Sequence, residues 1–199
     1  MHREMVFTRF ERFWHWAQAV LVILLLVSGF AVHGVHEWVP FGQAADMHLI
    51  LAWILIGLWM LAIFWHFTTG EWRQYIPTGK NLLPVLRYYS TGIFDPSVKH
   101  PYKKTRKAKH NPLQRLAYLV LKLVISPLIW ASGLLYMFYN DWPSIGLGGL
   151  SLATVATVHT AAAFGMLIFL IAHVYMGFTG KPFTAYVKAM ISGYEEIYE

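Results

Sequence analysis

Four runs, about Phe13 to His33, Asp46 to Phe67, Leu116 to Phe138 and Leu152 to Gly177, are almost uninterruptedly apolar. Crossing the ~30 Å hydrocarbon layer of a bilayer takes about 20 apolar residues in a helix. In lipid a single chain segment can satisfy its own backbone only as a helix. The expected fold is therefore all-α, an integral membrane four-helix bundle forming a single domain over residues 1–199, with a loop over 68–115 too charged to insert. Charged residues make up 13% of the chain, against about a quarter in soluble domains. The first run is too long for a signal peptide and has no small-residue cleavage site, so it is expected to remain in the mature protein.

The net charge of +6 is distributed by topology. Arg3, Arg9 and Arg12 precede the first span, ten Lys and Arg from Arg73 to Arg115 separate the second from the third, and Lys181 and Lys188 follow the fourth. Gly34 to Ala45 and Tyr139 to Ser151 carry neither residue. Cations accumulate on the cytoplasmic side, so both termini are expected there. The basic balance does not imply a nucleic-acid partner. Lys122 is the one charge within a span and is expected to snorkel toward the cytoplasmic side.

The spans carry histidines, which are costly in hydrocarbon unless partnered and usually mark a cofactor or a pathway. On the fourth span His159 and His173 are 14 residues apart, which at ~1.5 Å and ~100° per residue is roughly 21 Å along one face. Thr160, Ala161, Ala162, Ala163 and Gly165 between them would admit a flat group, although small residues also serve helix packing. On the first span His15 and Gly29 share a face by the same arithmetic. On the second, His48 and His66 are about five turns apart, roughly 27 Å. By depth, His48 and His159 are outer, while His15, His66 and His173 are inner. His48 and His159 then form one axial pair for an outer haem. His173 pairs with His15 or with His66, and His15 is preferred because cofactor sites in four-helix bundles draw on several helices. His33, His36 and Trp38 at the outer end are exposed interfacial residues or partners for haem propionates.

The absence of cysteine excludes disulfides, thiolate ligation, iron–sulfur clusters and covalent c-type haem, so any haem is b-type. Asn111-Pro112 opens the third span as N-cap and first-turn proline. Pro127 is expected to kink that span, and Leu82 to Tyr89 to form a short surface helix. The stretch Asp95 to His110 is read as a mobile loop facing lipid or a partner.

These residues resemble the di-haem cytochrome b subunits of respiratory formate dehydrogenase (its gamma subunit), nickel-iron hydrogenase and thiosulfate reductase-like complexes. Arg12-Phe13-Trp14-His15-Trp16 with Ser28-Gly29 resembles that family's first helix. Met47-His48-Leu49 and Phe64-Trp65-His66 resemble the two ends of its second, and Asn111-Pro112-Leu113-Gln114-Arg115 the start of its third. Val158-His159-Thr160-Ala161-Ala162 and Ala172-His173-Val174-Tyr175-Met176 resemble its fourth. Lys188 to Gly193 resembles the amphipathic segment that closes these subunits.

The resemblance implies two haem b and a quinone site beside the inner haem, taking menaquinone or ubiquinone. Carried over by position, His173, Asn111, Leu113 and Gln114 would contact the quinone. His66 matches a position that is usually not a ligand, which leaves it an alternative ligand or a quinone contact. An iron–sulfur or multihaem cytochrome subunit and a catalytic subunit are implied on the extracytoplasmic side of a bacterial or archaeal cytoplasmic membrane. The expected function is electron transfer between that partner and the quinone pool, as a subunit of a larger oxidoreductase. A rival reading is a transition-metal or proton transporter, since imidazoles bind zinc, copper or iron. Transporters typically also place Asp or Glu within the membrane, and here only Asp46 approaches, at an edge. A plain membrane anchor that docks a soluble partner would leave the histidines unexplained.

Overall fold

Residues 2–95, 97–98, 101–102, 109–180 and 182–197 are described by the computed structural model. Among the described residues four helical stretches are long and apolar enough to cross a membrane: Arg9–Val32, Phe41–Thr69, Pro112–Met137 and Leu152–Gly177. Large apolar side chains along them face outward, Ile168 at 67% and Ile171 at 62% exposure. Lipid is the solvent that makes such a surface stable. The chain groups into two compact units, residues 1–74, 105–109 and 180–199, and residues 75–104 and 110–179.

The first unit is built on helices α1 (Arg9–Val32) and α2 (Phe41–Thr69). Thr8 caps α1 in a reciprocal box with Glu11, whose side chain accepts from the Thr8 amide at 2.8 Å. Gly70 ends α2 in the left-handed conformation, φ +75°, where a Cβ would be strained. Phe10 stacks on Trp65 at 4.7 Å and Ser28 bonds His48, so the two helices run antiparallel.

Both ends of the chain belong to this unit. Strand β1 (His2–Met5) pairs antiparallel with β2 (Tyr194–Ile197). Gly193, at φ +89°, lets the chain turn so tightly that a Cβ there would meet the Phe7 carbonyl at 2.7 Å. The Arg12 guanidinium donates to the Ile191 carbonyl at 2.6 Å, and the Trp16 indole to that of Met190 at 3.2 Å. The N-terminal residues, expected only as a basic lead-in, are thus a strand paired with the tail. Both termini lie at one end of this helix pair.

Beside that end, Lys109 is 2% exposed, with Nζ 2.6 Å from Glu11 Oε1 and 3.1 Å from Glu71 Oε2. Its backbone amide donates to Gln74 Oε1. Lys109 of the charged loop is therefore fixed to the first turn of α1. Most of Asp95 to His110, and also Lys181, lie outside the described residues.

The second unit holds α3 (Leu82–Ser90), the surface helix expected from sequence, and the other two spans. The third span is not one regular helix. Helix α4 (Pro112–Val120) passes through a π-helical turn, Leu121–Ile125, into α5 (Ser126–Met137). Pro127 has no N–H, and its ring crowds the carbonyl four residues earlier, within that turn. The expected kink is therefore expressed as a change of helical register, the form in which π-turns usually occur.

Helix α6 (Leu152–Gly177) follows, its first turn capped by Ser151. A Cβ at Gly165 would lie 3.6 Å from Ile125 Cγ1, so this glycine serves close packing of α6 against the π-turn. Helix α7 (Ala185–Ser192), in the first unit, is the expected closing segment.

Candidate functional site

His48 lies one turn into the apolar part of α2 and is held by α1. Its Nδ1 is 2.9 Å from Ser28 Oγ, and Ser28 is fully buried. The same hydroxyl donates its proton to the Leu25 carbonyl at 3.1 Å, the back-bond serines make in helices. A hydroxyl has one proton and two lone pairs. With the proton on Leu25, Ser28 accepts from His48 Nδ1–H, and the tautomer so fixed carries its lone pair on Nε2. Gly29 makes the seat: a Cβ there would lie 3.4 Å from His48 Cε1. The face Gly29 shares with His15 is thus the one that meets the His48 ring.

The second unit repeats the device. His159 Nδ1 is 3.0 Å from Ser132 Oγ on α5, and Ser132 is 3% exposed. That hydroxyl donates to the Leu128 carbonyl. A Cβ at Gly133 would meet His159 Cε1 at 3.2 Å and Nδ1 at 3.6 Å. Ser132-Gly133 carried no weight in the sequence. The recurring Ser-Gly pair facing a histidine on the next span is the signal that would have found it.

His15, His66 and His173 are held differently. His15 lies edge-on to Trp16, ring centroids 5.1 Å apart. His66 is 8% exposed, edge-on to Trp14, and donates from Nδ1 to the Ala62 carbonyl at 2.6 Å. That bond likewise leaves the lone pair on Nε2, a tautomer suited to a metal or to a hydroxyl donor such as that of a hydroquinone. In the second unit His173 stacks on Phe169, 5.7 Å and 14°, with Tyr118 at 6.4 Å. Tyr118 in turn touches His110 and Tyr75. The Lys122 ammonium lies 3.2 Å from the Tyr75 ring centroid, a cation–π contact that draws it toward the loop side of its span.

Asn111 is 2% exposed and its amide has two uses. Its oxygen accepts from the Gln114 amide at 2.8 Å while Gln114 Oε1 accepts from the Asn111 amide at 2.9 Å, a complete capping box. Its nitrogen donates to the Tyr89 hydroxyl at 3.4 Å. Burial raises the Tyr89 pKa above its ordinary value, against a hydrogen bond with Thr179 that lowers it. Leu113 stands beside Asn111 in the first turn of α4. At the opposite end of the first unit, His36 Nε2 donates to the Val27 carbonyl at 3.0 Å and its ring stacks on Trp38 at 4.4 Å.

Residues 6–193 match the family described as prokaryotic cytochrome b561. The chain belongs to that family. This cytochrome is 27% identical over 198 residues to a protein of Escherichia coli (strain K12) named "Putative cytochrome YdhU", covering 95% of this chain and 73% of that one. It is 25% identical over 137 residues to an Azospira oryzae protein named "Putative protein-methionine-sulfoxide reductase subunit YedZ1", covering 59% of this chain and 66% of that one. No solved structure matches it. It is accordingly a membrane electron-transfer protein of the cytochrome b type, for which the family implies haem b.

The side chains fit such a group. Ferrous and ferric haem take neutral imidazoles through one ring nitrogen, and a ligating histidine almost always donates its other N–H. His48 and His159 both have Nδ1 engaged in that way. Among the described residues no three His, Cys, Asp or Glu side chains converge as a metal cage, whereas a haem asks for two imidazoles and no more.

Proposed function

We propose that this cytochrome is the membrane subunit of a larger oxidoreductase and carries electrons between an extracytoplasmic redox partner and the quinone pool. His48 and His159 are the axial pair on the outer side, and His15 and His173 the pair on the cytoplasmic side, paired by their depth along the four spans. Haem b supplies the one-electron chemistry when bound. The chain supplies neutral imidazoles, apolar walls that exclude water, and hydrogen bonds that set the tautomers. His173, Asn111, Leu113 and Gln114 lie about a menaquinone or ubiquinone site, with His66 as a further contact. With both termini cytoplasmic, that site draws its protons from the cytoplasm, so inward electron flow separates charge across the membrane.

The observation that supports this reading best is the paired seating of His48 and His159 by buried serines on neighbouring spans. A polar ring in lipid needs such support only if its position matters. The test is a reduced-minus-oxidised spectrum of the purified chain, with haem counted per polypeptide. Two haem b are expected, and His48→Ala or His159→Ala each removes one. An unchanged haem content in both variants refutes the assignment. Copurified neighbouring subunits identify the partner.

A further inference from the structure

The geometry points to Ser28 and Ser132 as positioning residues that set the redox potential of the outer haem, through matched relays running from imidazole to hydroxyl to helix carbonyl. This rests on the proposed ligation by His48 and His159 and goes beyond it, because it assigns a role to two residues that would touch neither iron nor porphyrin.

Four features carry the inference, and each occurs once in each unit. The serine is buried, Ser28 at 0% and Ser132 at 3% exposure, so water cannot replace its hydrogen bond. Its hydroxyl proton is directed to a carbonyl of its own helix, Leu25 in one unit and Leu128 in the other. Its lone pair then has one role, accepting Nδ1–H at 2.9 Å or 3.0 Å. A glycine follows the serine, and a Cβ there would lie 3.4 Å from His48 Cε1 in one unit and 3.2 Å from His159 Cε1 in the other. A helix packed on another needs none of these at the same position twice. A ligand that must keep one tautomer and one ring orientation needs all four.

The consequence is electronic. A hydrogen bond from Nδ1–H leaves more electron density on Nε2, making the imidazole a stronger donor. A stronger donor favours ferric over ferrous iron and lowers the potential. With His48 and His159 as its proposed ligands, a bound outer haem would take the effect of both bonds, and would be held at a lower potential than the same imidazoles would give without them. Removing either hydroxyl is expected to raise it. A tenfold change in the ferrous-to-ferric preference, the low end of what outer partners of metal ligands contribute, is about 59 mV for one electron.

The experiment is a redox titration of the full chain in native membranes or lipid nanodiscs, with haem content and electron paramagnetic resonance of the ferric state. The variants are Ser28→Ala, Ser132→Ala and Ser→Thr at each position. Both alanine variants are expected to raise the potential of the same one of two haems by about tenfold in redox preference, and to change its ferric signal, while the other haem stays put. Threonine, which keeps the hydroxyl, restores the wild-type value. Gly133→Ala, with the tighter approach to its histidine, is expected to disturb the signal more than Gly29→Ala.

Unchanged potentials with both haems retained overturn the proposal, as do shifts that fall on different haems for the two serines. If alanine abolishes haem binding, threonine decides: recovered binding supports the hydroxyl relay and continued loss overturns it. If the histidine variants leave haem content untouched, the ligation itself fails, and that outcome is separate from normal haem loss in the histidine variants with silent serines.

Discussion

Lys109 is the residue whose loss should be felt most outside the membrane. Its ammonium is 2% exposed and contacts Glu11 Oε1 at 2.6 Å and Glu71 Oε2 at 3.1 Å, with those side chains 10% and 27% exposed. Lys109→Met keeps the volume of the stem and removes the charge. Two carboxylates are then left facing one another with little water, and Glu11 must also hold the capping box of α1. Removing one partner of a buried ion pair costs about 3–5 kcal/mol. For a chain of this size each kcal/mol moves the midpoint about 2–4 °C, so a fall of roughly 6–20 °C is expected. The assay is thermal unfolding in one fixed detergent, followed by intrinsic tryptophan fluorescence. Adding Glu11→Gln and Glu71→Gln to Lys109→Met should recover most of the loss, because replacing a whole buried ionic group is often close to neutral. A drop below about 1 kcal/mol for Lys109→Met alone, the range of exposed pairs, would refute the reasoning.

Two further outcomes are expected. His15→Ala should remove one haem per chain while His66→Ala retains both, as counted by pyridine haemochrome; the reverse result assigns the inner ligation to His66. Burial raises the Tyr89 pKa in the folded state, so the unfolded state loses that proton first as pH rises. Its contribution is intact below about 10, the ordinary tyrosine value, and is lost as pH climbs from there through the raised folded value. Tyr89→Phe should flatten the decline in melting temperature above pH 10, and an unaltered decline counts against it.

The four spans were legible because hydropathy and helical period are properties of short windows. The fourth, Leu152 to Gly177, coincides with α6. Capping is equally local, which is why Asn111 could be read as a helix start and Leu82 to Tyr89 as a surface helix. Depth and face followed from counting along a helix, and they sorted the histidines into outer and inner sets. The family resemblance covered the whole chain and agrees with the match over residues 6–193.

Contacts between distant residues could not be counted out in this way. Glu11 meets Lys109 across 98 positions, and Arg12 meets Ile191 across 179. Nothing in either neighbourhood marks the other. What Gly29 and Gly165 face was equally out of reach: a Cβ would lie 3.4 Å from His48 Cε1 at one and 3.6 Å from Ile125 Cγ1 at the other, a distinction made only by what packs opposite. Ser28 and Ser132 look like ordinary small polar residues until the next helix brings a ring nitrogen within 3.0 Å. The sequence by itself determined which segments are long and apolar enough to cross lipid and how far apart along each span its imidazoles lie, because partitioning and helical geometry are summed over neighbours along the chain. Tertiary structure decided the tautomers, the seats and the buried ions, because a hydrogen bond depends on tenths of an ångström between groups that only packing brings together.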